Sequence, residues 1–220
     1  MGKQSSWGFN RVVMLIVGVC GAAMMVLGIS IYAIASSELS NQQITVASFN
    51  HSSTPNGPHA GEPVRGPLTA LAQIKAITHH MQQSSQTATG GQSDPATGEV
   101  TGGDSTVTYG VAPSFSLDAQ GNCTSDLTWT TPDGTGTLTC AKGSAPEVTG
   151  GLNAAALAGL RSTLTTGSFL VSSLFVSVLA FGVSALITGL GLIFILLSIV
   201  GLRMTKAMAS TKESATAASA

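Results

Sequence analysis

Residues 12–35 read VVMLIVGVCGAAMMVLGISIYAIA, and residues 162–202 read STLTTGSFLVSSLFVSVLAFGVSALITGLGLIFILLSIVGL. Neither stretch holds an Asp, Glu, Lys, Arg or His. A helix that crosses a bilayer needs about 20 consecutive, mainly apolar residues, and both stretches reach that length. The pair predicts an integral membrane protein with two spans. Its fold class is a membrane α-helical hairpin (two transmembrane helices) with a small extracytoplasmic α+β domain containing a disulfide-bonded β-hairpin. The lipid bilayer is then its first partner.

The second run exceeds one crossing. Wholly helical, it would be about 60 Å long, against a hydrocarbon core of about 30 Å. Part of it must project, tilt or break. The expected layout is a tail at 1–11, transmembrane helix 1 at 12–35, a helical stalk at 151–177 or a gentle break around Gly167, transmembrane helix 2 at 178–202, and a tail at 203–220. Ala33-Ile34-Ala35 has the small-residue pattern of a signal-peptidase site, but the apolar run is longer than the 7–15 residues usual for a cleaved signal. A retained anchor is expected.

Charge orients the spans. The tails carry Lys3, Arg11, Arg203, Lys206 and Lys212 against Glu213, a net +4, whereas the intervening residues carry four basic and nine acidic side chains, a net −5. Lys and Arg beside a span hold that end in the cytoplasm. Both termini are expected inside and the central loop outside, at the plasma membrane. Trp7 and Phe9 suit the interface, where aromatic side chains anchor. The whole chain has a formal net charge of −1, which excludes the broad basic face of a nucleic-acid binder.

Small residues mark where the spans should pack, because they let helix backbones approach. In the first span these are Gly18 and Ala22, four apart, and Gly21 and Gly28, seven apart. In the second run Ser173, Ser177, Ser184, Thr188 and Gly191 fall near one face. The seams suit each other, a membrane-protein partner or a homo-oligomer. Cys20 is expected to pack as a small apolar residue.

The outer region begins at 36–83, with β-tolerant Gln43-Ile44-Thr45-Val46. A helix should start at Pro67, whose missing N–H costs nothing there. Its apolar face is Leu68, Leu71, Ile74, Ile77 and Met81, with Lys75 and Thr78 opposite and an end near Gln83. Residues 84–105 are rich in Gly, Ser, Thr and Asp and read as a flexible linker. Residues 106–150 alternate as strands do, through Val107, Tyr109, Val111, Phe115, Leu117, Leu127, Trp129, Leu138 and Cys140, and predict a three- or four-stranded meander. Between Cys123 and Cys140 lies the turn signal Thr131-Pro132-Asp133-Gly134. An isolated pair in an oxidising compartment predicts a Cys123–Cys140 disulfide.

Catalytic chemistry has no constellation to stand on. His51, His59, His79 and His80 lack zinc spacing, and adjacent histidines on a helix point about 100° apart. There is no G-x-S-x-G elbow, phosphate loop or dinucleotide fingerprint. The acids are scattered on turn-rich sequence, and no ionisable residue lies inside either span to mark an ion path. No catalytic residue, metal ligand or cofactor is assigned. Asn50-His51-Ser52 and Asn122-Cys123-Thr124 match the glycosylation sequon.

Three stretches together carry a resemblance: Gln43-Ile-Thr-Val-Ala47, Gly66-Pro-Leu-Thr-Ala-Leu-Ala-Gln73, and the run from Gly167 to Gly191. They resemble a family of two-span actinobacterial membrane proteins, labelled aromatic ring-opening dioxygenase of the LigA type. The likeness covers about the first 83 residues and 151–203, which makes 84–150 an insertion. The resemblance implies the topology and, through its label, an iron-dependent dioxygenase. Such an enzyme needs an open iron site, typically two histidines and a carboxylate. The residues favour another function first: a non-catalytic accessory or scaffold subunit of a larger cell-envelope complex, with a respiratory assembly as one host. The alternative is a membrane-anchored extracytoplasmic sensor or ligand-binding module, with a pocket in 106–148.

Overall fold

A computed structural model describes residues 5–48 and 59–217, with side chains described within 11–48 and 59–206. The elements in order are α1 (Ser5–Asn41), α2 (Pro67–Ala88), β1 (Gln92–Ser93), β2 (Val100–Thr101), β3 (Leu127–Thr130), β4 (Thr137–Cys140), β5 (Glu147–Val148) and α3 (Ala154–Ala217). They divide into two compact units, Met1–Glu38 with Leu179–Ala220, and Leu39–Val178.

The first unit is a pair of helices. Arg11–Asn41 of α1 and Ala154–Lys206 of α3 are each long and apolar enough to cross a membrane. Within the unit the helices run antiparallel: Met14, Gly21 and Tyr32 of α1 meet Ser198, Gly191 and Phe181 of α3. Away from that contact the side chains are apolar yet exposed, with Val19 at 68%, Val26 at 65% and Leu186 at 62%. Such a surface in water would be a liability; in hydrocarbon it is what a spanning helix presents.

The second unit holds a core of Val107, Ala112, Phe115, Cys123, Leu138, Cys140, Leu152, Leu157, Leu160 and Leu164, together with Ala88. Three of these residues lie in the first turns of α3, at the three- and four-residue spacing that sets one helix face against a core. The segment at 151–177, expected as a projecting stalk, is therefore part of the packed unit over its first half. Gly167 makes no break, since α3 is continuous from Ala154. Its bare Cα instead lets the Met81 side chain lie against the helix.

Helix α2 starts where the sequence indicates. Pro67 occupies its first turn, and the Thr69 hydroxyl accepts the N–H groups of Gly66 and Arg65 at 3.2 and 3.1 Å. It runs to Ala88, a turn beyond the expected end. Its packed face also differs. Leu68 and Leu71 are exposed, while Ala70, Ala72, Ile74 and Ala76 are buried. One neighbour is a short extended pairing between 44–46 and 61–64, closed by Val46 N–H to Glu62 O and Val64 N–H to Ile44 O, both 2.8 Å. Gln73 Oε1 ties α2 to it by accepting the Ala47 N–H at 2.7 Å.

Residues 84–105 are not a linker. They contain the last turn of α2 and the antiparallel β1–β2 pair. Polar contacts rather than large apolar side chains hold this segment. The buried Ser85 hydroxyl donates to Val107 O at 2.9 Å, and the Thr89 hydroxyl accepts the Asp104 N–H. In turn the Asp104 carboxylate accepts the backbone N–H and hydroxyl of Thr106 at 2.7 and 2.6 Å.

The expected meander is smaller than its apolar alternation suggests. Residues 106–117 form no strand, apart from an isolated bridge between Leu117 and Cys123. The sheet is β3-β4-β5, all antiparallel. Strand β5 carries one large apolar side chain, and the alternation rule missed it.

Candidate functional site

The helix contact in the first unit is built on small residues at seven-residue spacing. On α1 these are Gly21 and Gly28; on α3 they are Ser184, Gly191 and Ser198. An added Cβ at Gly21 would lie 2.7 Å from the Gly191 carbonyl oxygen, and one at Gly191 would lie 2.6 Å from the Gly21 carbonyl oxygen. At Gly28 it would strike the Thr188 side chain and lie 2.7 Å from Ser184 O. At Gly18 it would lie 2.7 Å from Ser198 Oγ. The Ser198 hydroxyl donates across the interface to Met14 O at 2.6 Å, and Tyr32 and Phe181 close one end edge to face at 5.0 Å. A seven-residue recurrence is the spacing of helices that wind gently around each other.

Of the residues selected from sequence, Gly18, Gly21, Gly28, Ser184, Thr188 and Gly191 meet in this seam. Ala22 faces away and is exposed, because Gly21, its neighbour, is the residue turned towards Gly191. Ser173 is also exposed, and Ser177 returns its hydroxyl to Ser173 O at 3.2 Å. Cys20 is exposed on the outside of the pair rather than packed within it. Sequence reasoning passed over Ser198, whose signal was its seven-residue distance from Gly191.

In the second unit Cys123 and Cys140 are disulfide-bonded, with Cα atoms 5.6 Å apart. The local route is specific. Cys140 ends β4, but its neighbour on β3 is Leu127; Cys123 comes from the segment before β3. That segment is held by Cys123 N–H to Ser144 O and Gly143 N–H to Cys123 O, both 2.8 Å. The intervening turn closes with Gly134 N–H to Thr131 O at 2.9 Å, and Gly134 has φ +74°.

Two cavities lie along α2 and the first half of α3. One, of about 530 Å³, is lined by His80, Gln83, Ser84 and Thr87 of α2, by the β1–β2 hairpin, and by Gly159 and Thr163 of α3. The other, of about 380 Å³, is lined by Ile77, Met81, Gly167 and Leu170, again with His80 and Thr163. The pocket expected in 106–148 differs from both, since neither cavity has a lining residue in that range. A third, of about 330 Å³, touches it only through Val107–Gly110.

Three carboxylates serve turns. Asp94 is held below the ordinary carboxylate range first by the Ala96 N–H and then by the Thr97 hydroxyl. Asp118 is lowered chiefly by the Asn122 N–H, and Asp133 first by the Thr131 hydroxyl and then by Thr135. His79 and His80 have ring centres 6.2 Å apart. His59 Nδ1 lies 2.9 Å from Glu62 Oε2. His51 and Asn50 lie outside the described residues. Among the described residues, no three His, Cys, Asp or Glu side chains gather as a metal site. Asn122, of the other sequon, lies in the turn that Asp118 caps.

No family model, curated protein or solved structure matches this chain.

Proposed function

We propose that the chain crosses a membrane twice, with both termini cytoplasmic and the disulfide-bonded unit outside, and serves as a non-catalytic accessory or scaffold subunit of a larger cell-envelope complex. The observation that supports the membrane part of this reading is the apolar surface left over once the helix pair has formed. Gly21, Gly28, Ser184 and Gly191 are consumed by the internal contact. The outward faces, with Val19, Val26, Leu179, Val183 and Leu186, stay exposed. Docking would then use these outward faces rather than the small-residue seam. The resemblance to two-span actinobacterial proteins fits the same topology. Native purification in mild detergent, followed by mass spectrometry, tests the reading. A defined set of membrane subunits at fixed stoichiometry is expected; recovery of this protein alone would contradict it.

A second reading, an extracytoplasmic sensor or ligand-binding module, is favoured by the cavities along α2. Their volumes lie in the range of ligand pockets, about 300–1,000 Å³.

A further inference from the structure

Exposed apolar side chains recur along α3 from Phe169 to Val200. At a rise of 1.5 Å per residue that run is about 46 Å long. A hydrocarbon core is about 30 Å thick, and a bilayer with its head-group layers about 40–45 Å. On α1 the matching run, Val12 to Ile34, is about 33 Å long and fits the core alone. The surplus on α3 lies in the second unit, where Phe169 is 72% and Val176 66% exposed. Ser172 and Ser173 between them are exposed too.

The same end of that unit carries a second apolar surface, on α2. The two helices run antiparallel: His80–Thr87 share a cavity with Ala155–Thr163, and Ile77–Met81 share one with Ser162–Leu170. Leu68 and Leu71 therefore lie towards the Val176 end, and both are exposed. Exposed Arg65 and Lys75 flank them, and no acidic residue occurs between Pro63 and Ser93. The two surfaces face different ways. Met81 packs on Gly167. At 100° per residue, Phe169 and Val176 lie about 180–200° around α3 from Gly167. By the same count Leu68 and Lys75 lie about 120–140° around α2 from Met81.

We propose that this end of the second unit is seated in the head-group layer of the bilayer, with lipid against Phe169 and Val176 on one side and against Leu68 and Leu71 on the other. The proposal rests on the membrane reading above. It places the edge of the bilayer on α3 near Phe169, ahead of the span expected from Val178. Direction selects lipid as the occupant. A protein partner or a second copy docks on one side, whereas a bilayer surrounds whatever enters it. Composition selects the head-group layer over the core. That layer accepts the hydroxyls of Ser172 and Ser173, and it suits Arg and Lys, whose stems lie on apolar surface while their charges reach outward. Away from this end the exposed side chains turn polar on both helices, through Ser162, Thr163, Thr166 and Ser168 on α3 and Thr78 and Gln82 on α2.

Depth-resolved fluorescence quenching tests this on the full chain in phosphatidylcholine nanodiscs. Cys20→Ser leaves the disulfide pair as the remaining cysteines. On that background Leu71→Cys, Phe169→Cys and Val176→Cys each carry one fluorophore, with Ser162→Cys and Leu186→Cys as controls. All five positions are exposed, so the labels disturb no packing. The discs hold a nitroxide lipid labelled either at the head group or at the middle of the acyl chain. The head-group nitroxide should quench the labels at positions 71, 169 and 176 at least about twofold more than the label at 162, as the depth of that layer requires. The label at 186 should respond most to the mid-chain nitroxide. Labels at 71 and 169 as open to aqueous iodide as the one at 162 would overturn the proposal. So would labels shielded from iodide and from both nitroxides, which would mean protein cover. Quenching at 169 without quenching at 71 would overturn it as well, since lipid must reach both sides. A label at 186 that escapes both nitroxides would refute the membrane reading and this seating with it; quenching confined to 186 would refute only the seating.

Discussion

At Gly21 and Gly191 two backbones approach until each carbonyl oxygen lies within 2.7 Å of where the other residue's Cβ would be. Any larger side chain must therefore push the helices apart. Gly21→Leu or Gly191→Leu should weaken the pair by about 1–3 kcal/mol, the usual cost of overpacking a tight contact. Unfolding in detergent would measure it. Gly182→Leu and Gly189→Leu should leave the pair unchanged, since nothing lies within 4 Å of either position. Ser198→Ala removes one interhelical hydrogen bond, worth about 0.6 kcal/mol on average in a membrane setting. In the second unit, Gly134→Val should cost about 1 kcal/mol or more, because φ +74° is strained for a β-branched residue. Turn carboxylates set the acid limit. Asp94, Asp118 and Asp133 are all lowered in the folded state, so the stability they confer is full above the unfolded carboxylate value of about 3.9. It is lost as pH falls through their lower folded values. Thermal melts of the protein should be flat in this contribution from pH 5 to 8 and decline below about pH 4. An earlier decline, between pH 5 and 7, would contradict this assignment.

At the scale of elements, the sequence made some features plain and hid others for physical reasons. The long helices were legible because uncharged length is a demand of the bilayer itself. The disulfide was legible because two cysteines flanked a Pro-Asp-Gly turn. The β1–β2 pair was hidden because it owes little to apolar burial; an Asp94 cap on Ala96 and Thr97 shapes its turn instead. The face of α2 was misread because close helix packing selects Ala70, Ala72 and Ala76, which a search for large side chains passes over. In the seam, Gly18 and Ala22 suggested a four-residue pair, whereas the residue after Gly18 that meets α3 is Gly21, three positions on. The disulfide should matter most for the small sheet, which has only three short strands. In the chain-entropy model, closing a loop of this length stabilises by about 3 kcal/mol. Cys123→Ser with Cys140→Ser should lower stability by that order and raise hydrogen exchange in β3, β4 and β5. Protection there equal to that of the oxidised protein would contradict that role.

The whole molecule combines an apolar helix pair with a second unit whose core contains a disulfide. Surface lysines report which side of the membrane each part occupies. Lys75 and Lys142 are exposed in the second unit, and Lys206 is exposed on the C-terminal part of α3. The measurement that tests the central claim most directly is labelling of intact cells with a membrane-impermeant amine reagent, read residue by residue by mass spectrometry. Lys75 and Lys142 should be modified in intact cells and Lys206 only after permeabilisation. Modification of Lys206 in intact cells, or protection of Lys75 and Lys142 until lysis, would contradict it.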